Sequence, residues 1–253
     1  MKRLIKTILI AATLTMSACT PIQNTDEAVN RTIRIGTEQF TASLDSAIEW
    51  NGWFTVRYGI GETLFKVEDD MQIQPWLVSN AENIDIKTWK LTLRENIKFS
   101  DGTTMDAKSV VDNLHHIAQE NARAVFLQGA EYEIDGNTIT IKTVEPRATL
   151  LSDLSDPMFA MLNLGSKEDK ATMPIGTGPY KVKTFTADQE IVLEPNTNYW
   201  NGTPKLEEIT VTKMLEKETA ILALKNHELD AYTEMNPEGI KQLQDSDEFD
   251  IHT

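Results

Sequence analysis

Residues 88–118 constrain the fold most, because they predict a strand, a tight turn and a helix in direct succession. Between 88 and 94 apolar residues alternate with polar ones, which is the pattern of a strand with one buried face. Ser100-Asp101-Gly102 predicts a turn, and Asp106 is suited to cap the helix that follows. Apolar residues then recur on one helical face: Val110, Val111, Leu114, Ile117 and Ala118. No pattern typical of a nucleophile, an acid/base pair or a phosphate loop occurs in this stretch, so we interpret it as architecture.

The composition bounds the class of protein and its partners. The chain has 253 residues, of which 40% are hydrophobic, enough for one large domain or two ordinary ones. Its formal net charge of −15 argues against nucleic acid as a partner, because phosphate binding requires a basic surface. An acidic balance does not by itself specify a function, since it also serves solubility.

The N-terminus has the organisation of a targeting signal. Residues 1–18 combine a positively charged start with an apolar segment that is too short to span a membrane. Small residues then precede Cys19 and resemble a bacterial lipobox; the alternative is an ordinary buried cysteine. An internal disulfide is excluded because Cys19 is the only cysteine. We predict a lipoprotein signal peptide over 1–18, lipidation of Cys19, and a polar tether over 19–30 that anchors an exported protein to the bacterial cell envelope.

Aromatic residues are concentrated between 50 and 58, where Trp50, Trp53 and Tyr58 lie close together in the sequence. Two interpretations remain open for them, core packing and the wall of a ligand cleft. Arg123 is either an ordinary surface arginine or a residue whose guanidinium binds a ligand carboxylate through two hydrogen bonds. We take these four residues as candidate ligand-binding residues, with Arg147 as a weaker candidate.

The sequence offers little for catalysis or direct metal binding. His115 and His116 are adjacent on the predicted helix, so they point about 100° apart and do not suit a shared metal ion. The three acids at 68–70 lack the spacing of a calcium loop, and no nucleophile elbow is present. Gly59-Ile60-Gly61 fits the terminal turn of a helix better than a dinucleotide loop. We therefore expect no enzyme activity and no cofactor.

Further patterns predict most of the remaining elements. Asp135-Gly136-Asn137 lies between two alternating segments and predicts a hairpin. Other predicted strands are 31–36, 180–185, 191–193, 209–211 and 229–232. Other predicted helices are 146–159, with an interruption before Pro157, a helix from 217 to a left-handed C-cap at Asn226, and 237–243.

Several motifs, taken in order along the chain, resemble one family. They are Thr88-Trp89 through Lys98-Phe-Ser-Asp-Gly102 with the helix start at 107–111, Pro174-Ile-Gly-Thr-Gly-Pro-Tyr180, Glu194-Pro-Asn196 with Asn198-Tyr-Trp200, and Leu229-Asp-Ala231. In this order they are similar to the extracellular solute-binding proteins of ABC importers in family 5, the dipeptide, oligopeptide and nickel-binding group. One departure is His227, which stands where the family usually has glycine.

The resemblance implies an α/β, periplasmic-binding-protein-like fold of class II, in the large cluster with an inserted subdomain. It covers the first lobe only, a mixed sheet with flanking helices. Residues 31–48 and 173–253 would form lobe I, and residues 49–172 would form the inserted subdomain. The second lobe is expected to be absent.

The function implied by the resemblance is capture of a solute outside the membrane and its delivery to ABC permease subunits. The ligand would be a peptide or a nickel or other metal chelate, and a chelate needs no histidine ligands from the protein. An alternative hypothesis is a surface interaction module, built on a truncated solute-binding fold, that binds no small ligand.

Overall fold

The computed structural model describes residues 31–244 and 248–252. The predicted signal peptide over 1–18, the lipidation of Cys19 and the tether over 19–30 lie outside these residues. Within the described part of the chain, no helix is both long and apolar enough to cross a lipid bilayer.

The described residues form short strands and helices that alternate along the chain. The strands are β1 Thr32–Thr37, β2 Phe65–Val67, β3 Ile73–Pro75, β4 Val78–Asn83, β5 Thr88–Leu93, β6 Glu131–Asp135, β7 Thr138–Lys142, β8 Tyr180–Thr186, β9 Glu190–Pro195, β10 Glu208–Lys213 and β11 Ala231–Tyr232. The α-helices are α1 Gly52–Arg57, α2 Ala107–Glu120, α3 Leu150–Asp153, α4 Lys217–Lys225 and α5 Pro237–Leu243. Two 3₁₀ helices cover Ala122–Leu127 and Pro157–Phe159.

A five-stranded mixed sheet has the order β11–β1–β10–β9–β8. β1 runs parallel to β10 and β11, whereas β8, β9 and β10 are successive antiparallel neighbours. The register places Ile35 opposite Val211, which is itself opposite Ile191, so alternate apolar residues share one face of the sheet. That face packs against Tyr58, which lies at the C-terminal end of α1, and against Ile60, in the segment that follows.

A four-stranded antiparallel sheet has the order β4–β5–β7–β6. α2 packs its apolar face against β6 and β7, and Leu91, Leu114 and Ile139 are fully buried in the shared core. The predicted strand, turn and helix over 88–118 are confirmed, and the carboxylate of Asp106 caps α2 by accepting a hydrogen bond from the Ser109 N–H at 2.7 Å. The predicted hairpin is confirmed as β6–β7.

β2 and β3 form a separate two-stranded sheet. The strands of the five-stranded sheet come from 31–48 and 173–253, and those of the other two sheets come from 49–172. The boundaries of lobe I and the inserted subdomain themselves stay a prediction.

The predicted helix over 146–159 is wrong in its length, whereas its predicted interruption before Pro157 is confirmed. Only Leu150–Asp153 is α-helical, and a separate 3₁₀ helix covers Pro157–Phe159. Asp156, which precedes proline, is extended at φ −62° and ψ 133°, because the proline ring disfavours the helical region for the residue before it. The Asp156 carboxylate instead caps the 3₁₀ helix by accepting from the Met158 N–H at 2.9 Å.

The predicted left-handed cap at Asn226 is also wrong. Asn226 has φ −91°, and His227 is the left-handed residue, with φ 56°. The His227 N–H donates to the Leu224 carbonyl at 3.0 Å and the Glu228 N–H to the Ala223 carbonyl at 2.8 Å, which is the Schellman pattern. The left-handed residue therefore lies one position later than predicted. It is His227, the histidine that stands where the family usually has glycine.

Candidate ligand-binding surface

Two exposed tryptophans lie at the start of α1. The side chain of Trp50 is 60% exposed and that of Trp53 is 48% exposed. The Trp53 N–H donates to the Trp50 carbonyl at 3.1 Å, so the two residues lie one turn apart at the same end of the helix. Tryptophans this exposed contribute no core packing, which favours the cleft-wall interpretation over the core interpretation for this pair.

Close backbone packing fixes the position of α1. A Cβ atom added to Gly52 would collide with the carbonyl oxygen of Pro157, so only glycine lets α1 approach the second 3₁₀ helix this closely. The contact places the start of α1 directly against the 3₁₀ helix that Asp156 caps.

Arg123 lies against Trp50. Its guanidinium carbon is 4.0 Å from the centroid of the Trp50 ring, which is cation–π geometry. Arg123 also donates to both carboxylate oxygens of Asp156, from Nη1 at 2.9 Å and from Nη2 at 3.4 Å. A guanidinium carries five N–H donors, so these two bonds leave capacity for a ligand carboxylate.

The side chain of Asn121 joins the backbone around Arg123 to that around Trp50. Its amide oxygen accepts from the Arg123 N–H at 3.1 Å, and its amide nitrogen donates to the carbonyls of Ala47 and Glu49, both at 3.1 Å. Asn121 is buried, which shields these bonds from competition with water. The Trp50–Arg123 contact is thus held by backbone on both sides.

A second pair of an aromatic ring and an arginine extends this surface. The guanidinium carbon of Arg147 lies 4.3 Å from the centroid of the Phe126 ring. Asp153 accepts two hydrogen bonds from Arg147, and these bonds raise the guanidinium pKa further above its usual value. We call Trp50, Trp53, Arg123, Phe126 and Arg147 the cationic aromatic wall. Sequence reasoning missed Phe126, although its spacing of three from Arg123 places both on one face of a 3₁₀ helix.

Tyr58 lies elsewhere. Its side chain is only 7% exposed, and its ring packs at 6.1 Å from Phe40 and 6.0 Å from Phe54, measured between centroids. Burial raises the pKa of its hydroxyl above the usual value for tyrosine. The structure therefore brings Trp50, Trp53 and Arg123 together and places Tyr58 in the core beside the five-stranded sheet. Their role in ligand binding stays a prediction.

A buried carboxylate follows α1. Glu62 is 8% exposed and accepts hydrogen bonds from the indole N–H groups of Trp200 at 3.0 Å and Trp76 at 2.8 Å, and from the Tyr199 hydroxyl at 3.1 Å. Burial raises the pKa of Glu62, and the bonds from the indoles oppose that shift. Glu62 thereby connects the segment after α1 to the loop after β9. The sequence motif around Trp200 indicated the loop but not this contact.

Among the residues that the structure describes, no group of three or more histidine, cysteine, aspartate or glutamate side chains is placed to hold a metal ion. The ring of His115 packs edge-on against Tyr132, with 4.7 Å between centroids.

Exposed tryptophan and arginine side chains on an α/β fold can supply contact area and hydrogen-bond donors to a small ligand. The family model for bacterial extracellular solute-binding proteins, family 5 Middle, matches residues 72–253. The chain belongs to this family. The family predicted from the sequence motifs is therefore confirmed.

Individual relatives agree with this assignment. The nickel-binding protein NikA of Staphylococcus aureus is 25% identical over 244 residues, which are 96% of this chain and 48% of the relative. The glutathione-binding protein GsiB of Escherichia coli is 29% identical over 179 residues, which are 65% of this chain and 34% of the relative.

Solved structures confirm the periplasmic-binding-protein-like fold. The structure of a nickel ABC transporter protein from Bacillus halodurans superimposes with a TM-score of 0.81 and 30% identity, covering 86% of this chain and 46% of that one. The structure of S. aureus NikA in complex with Ni(L-His)₂ superimposes with a TM-score of 0.80 and 26% identity, with the same coverage. The chain thus spans about half the length of the relatives it matches.

Proposed function

We propose that this chain forms one wall of the binding site in the solute-binding component of an ABC importer. The observation that carries the proposal is the placement of Arg123 against the exposed ring of Trp50, at 4.0 Å. An aromatic face supplies contact area, and a guanidinium with free donors supplies a partner for a carboxylate. The ligand is accordingly small and carries at least one carboxylate.

A metal chelate is the ligand class that we favour. The S. aureus relative binds Ni(L-His)₂ in its solved structure, and histidine in that complex brings both the metal ligands and carboxylates. Capture of an intact chelate requires no metal-binding cluster in the protein, and the described residues contain none. Peptides are the second class, supported by the glutathione-binding relative.

In this proposal the ligand meets the cationic aromatic wall on one side only. The relatives contain about twice as much chain, and a ligand between two lobes gains contacts and loses water on both faces. Binding to this chain alone is therefore weaker than binding to a complete two-lobed protein. Delivery to permease subunits, export, and anchoring through a lipid on Cys19 complete the proposed role.

Thermal unfolding with a panel of ligands tests the proposal. The panel is Ni(L-His)₂, free L-histidine, free Ni²⁺ and glutathione, each over a concentration series. A ligand at 100 times its Kd stabilises the folded state by about 2.7 kcal/mol, so a bound member raises Tm in a concentration-dependent way. We expect Ni(L-His)₂ to raise Tm more than histidine or Ni²⁺ does alone.

The alternative is a surface interaction module with no small ligand. Absence of a Tm increase with every member of the panel, in this chain and in a complete two-lobed protein containing it, would favour that alternative. A shift with glutathione but not with the chelate would keep the importer function and change the ligand class to peptides.

A further inference from the structure

The chain contains two Asn-Gly pairs, Asn51-Gly52 and Asn201-Gly202. Asparagine is a chemically labile residue, and in such a pair the backbone nitrogen of the glycine attacks the side-chain amide of the asparagine. Glycine permits this attack because it has no Cβ to hinder the approach and allows the backbone to rotate freely. The two pairs are alike in sequence, but the fold places them in very different surroundings.

Asn201-Gly202 is open to the reaction. Both residues are exposed, in the loop between β9 and β10. Gly202 has φ 102°, and a Cβ atom added to it would meet no atom within 4 Å. Its N–H has no hydrogen-bond acceptor among residues 31–244 and 248–252. The backbone nitrogen that attacks is therefore neither crowded nor held by a hydrogen bond.

Asn51-Gly52 is protected by the packing of α1. Asn51 has helical angles, φ −63° and ψ −25°, and its amide oxygen accepts from the Thr41 hydroxyl at 2.9 Å. Gly52 is buried and packs against the backbone of Pro157. The Gly52 nitrogen has to rotate toward the Asn51 side chain before it can react, and these contacts oppose that rotation. Reaction at Asn51 thus requires local opening of α1.

The surroundings of Asn201 connect it to the buried Glu62. The Tyr199 hydroxyl donates to the Glu62 carboxylate at 3.1 Å. Burial and the charge of Glu62 raise the pKa of this hydroxyl, whereas a hydrogen bond from the amide of Asn201 opposes the shift. The amide of Asn201 therefore lies beside the Tyr199 hydroxyl. A carboxylate at position 201 would remove this donor and place a second negative charge near Glu62.

We propose that Asn201 is a site of spontaneous covalent modification, which converts it to aspartate and isoaspartate and thereby weakens the contact between Tyr199 and Glu62. A C–N bond forms between the Gly202 nitrogen and the side-chain carbonyl carbon of Asn201, and the bond from that carbon to the amide nitrogen breaks. The amide nitrogen leaves as ammonia and takes up the proton that the Gly202 nitrogen loses. Water then opens the resulting succinimide ring at either carbonyl and supplies the oxygen of the new carboxylate. This inference goes beyond the proposed function and does not depend on its ligand.

Incorporation of oxygen from water tests the selectivity of the modification. The folded full chain is incubated at neutral pH in water enriched in heavy oxygen, and a second sample is incubated in urea. Peptide mapping by mass spectrometry then measures the heavy oxygen gained at positions 201 and 51. Asn201→Gln is the control variant, because its longer side chain closes a six-membered ring only slowly.

In the folded chain we expect conversion at position 201 to be at least about tenfold faster than at position 51, since only the second site needs local opening. In urea the two rates should be similar, and Asn201→Gln should gain no heavy oxygen at 201. Equal rates at the two positions in the folded chain overturn the proposal. So does a folded chain that stays unmodified at 201 while both positions react in urea.

A second measurement tests the effect on the contact with Glu62. Asn201→Asp carries one of the two products, and Asn80→Asp makes the same change of charge at an exposed asparagine on β4. We expect Asn201→Asp to have the lower Tm at neutral pH, and we expect the difference to disappear when both variants also carry Glu62→Gln, whose neutral amide does not repel the new carboxylate. Equal Tm values of the two single variants, or a difference that persists with Glu62→Gln, would also overturn the proposal.

Discussion

The indole N–H of Trp200 donates to the buried carboxylate of Glu62 at 3.0 Å. The two residues are far apart in sequence and belong to different parts of the fold, the segment after α1 and the loop after β9. A buried carboxyl acceptor with indole and phenol donors gives directional bonds that a purely apolar contact lacks. This contact therefore fixes the position of the segment between Glu62 and α1.

The pKa of Glu62 leads to a prediction about stability and pH. Because burial raises the folded-state pKa above the unfolded value, the folded state binds the proton more tightly than the unfolded state does. The contribution of Glu62 to stability is fully present below the unfolded pKa and is lost as pH rises through the folded pKa. Urea unfolding of the native chain and Glu62→Gln, between pH 4 and 7, measures this contribution as the difference between the two curves.

We expect the native chain to gain stability relative to Glu62→Gln as the pH falls toward 4. Glu168→Gln, at an exposed carboxylate, is the control. The difference in unfolding free energy between the native chain and Glu168→Gln should not grow in favour of the native chain as the pH falls. A native chain that instead loses stability relative to Glu62→Gln on acidification would mean that the donors of Trp200, Trp76 and Tyr199 outweigh burial.

His227 offers a direct test of backbone strain. A non-glycine residue in the left-handed region costs about 1 kcal/mol, and His227 has φ 56°. His227→Gly should therefore raise the free energy of unfolding by about 1 kcal/mol, since the exposed contact of the His227 ring with the Glu248 carboxylate at 3.3 Å contributes little. Asn226→Gly is the matched control, because Asn226 has a negative φ and should gain nothing. Equal effects of the two substitutions in chemical denaturation would argue against strain at 227.

Gly52 tests the packing that positions the tryptophans. Gly52→Ala forces α1 away from Pro157, and overpacking of this kind typically costs about 1–3 kcal/mol. Gly165→Ala is the control, since its Cβ would meet only Asn163 at 3.4 Å. Chemical denaturation measures the free energy of unfolding of both variants. A Gly52→Ala protein as stable as the Gly165→Ala protein would show that α1 does not depend on this close approach.

Cys19 tests the sequence-based prediction of a lipid anchor. Replacement of the predicted lipidation site should release the protein from the membrane fraction, because the predicted anchor is the attached lipid. Membrane and soluble fractions of cells expressing Cys19→Ser are compared with those expressing Ser17→Ala, which keeps a small residue before the cysteine. A Cys19→Ser protein that is still processed and stays wholly with the membrane fraction would contradict the anchor.

Local patterns predicted much of the fold, and tertiary contacts explain what they missed. The strand, turn and helix over 88–118 were predictable because alternation and the cap at Asp106 act over a few residues. The break before Pro157 was predictable because proline acts on its direct neighbour, but apolar spacing predicted too long a helix over 146–159, of which only Leu150–Asp153 is α-helical.

The candidate site was only partly predictable for a similar reason. Aromatic density identified the segment 50–58, but separating its faces required the helical phase, which sets Trp53 and Tyr58 about 140° apart. The contact between Arg123 and Trp50 depends on how distant parts of the chain pack, and no local pattern encodes it. Histidine at the left-handed position was visible in the sequence, but its strain became visible only with the backbone angles.

The most direct test of the proposed function is the affinity for Ni(L-His)₂ measured by calorimetry in the native chain and in Arg123→Gln. A charge-assisted hydrogen bond contributes about 1.5–3 kcal/mol, so the loss of the guanidinium should weaken binding at least tenfold. Arg31→Gln is the control, because Arg31 is an exposed arginine that lies outside the cationic aromatic wall. Binding that weakens in Arg123→Gln and not in Arg31→Gln is the predicted result, whereas equal affinity in all three proteins would contradict the proposed wall.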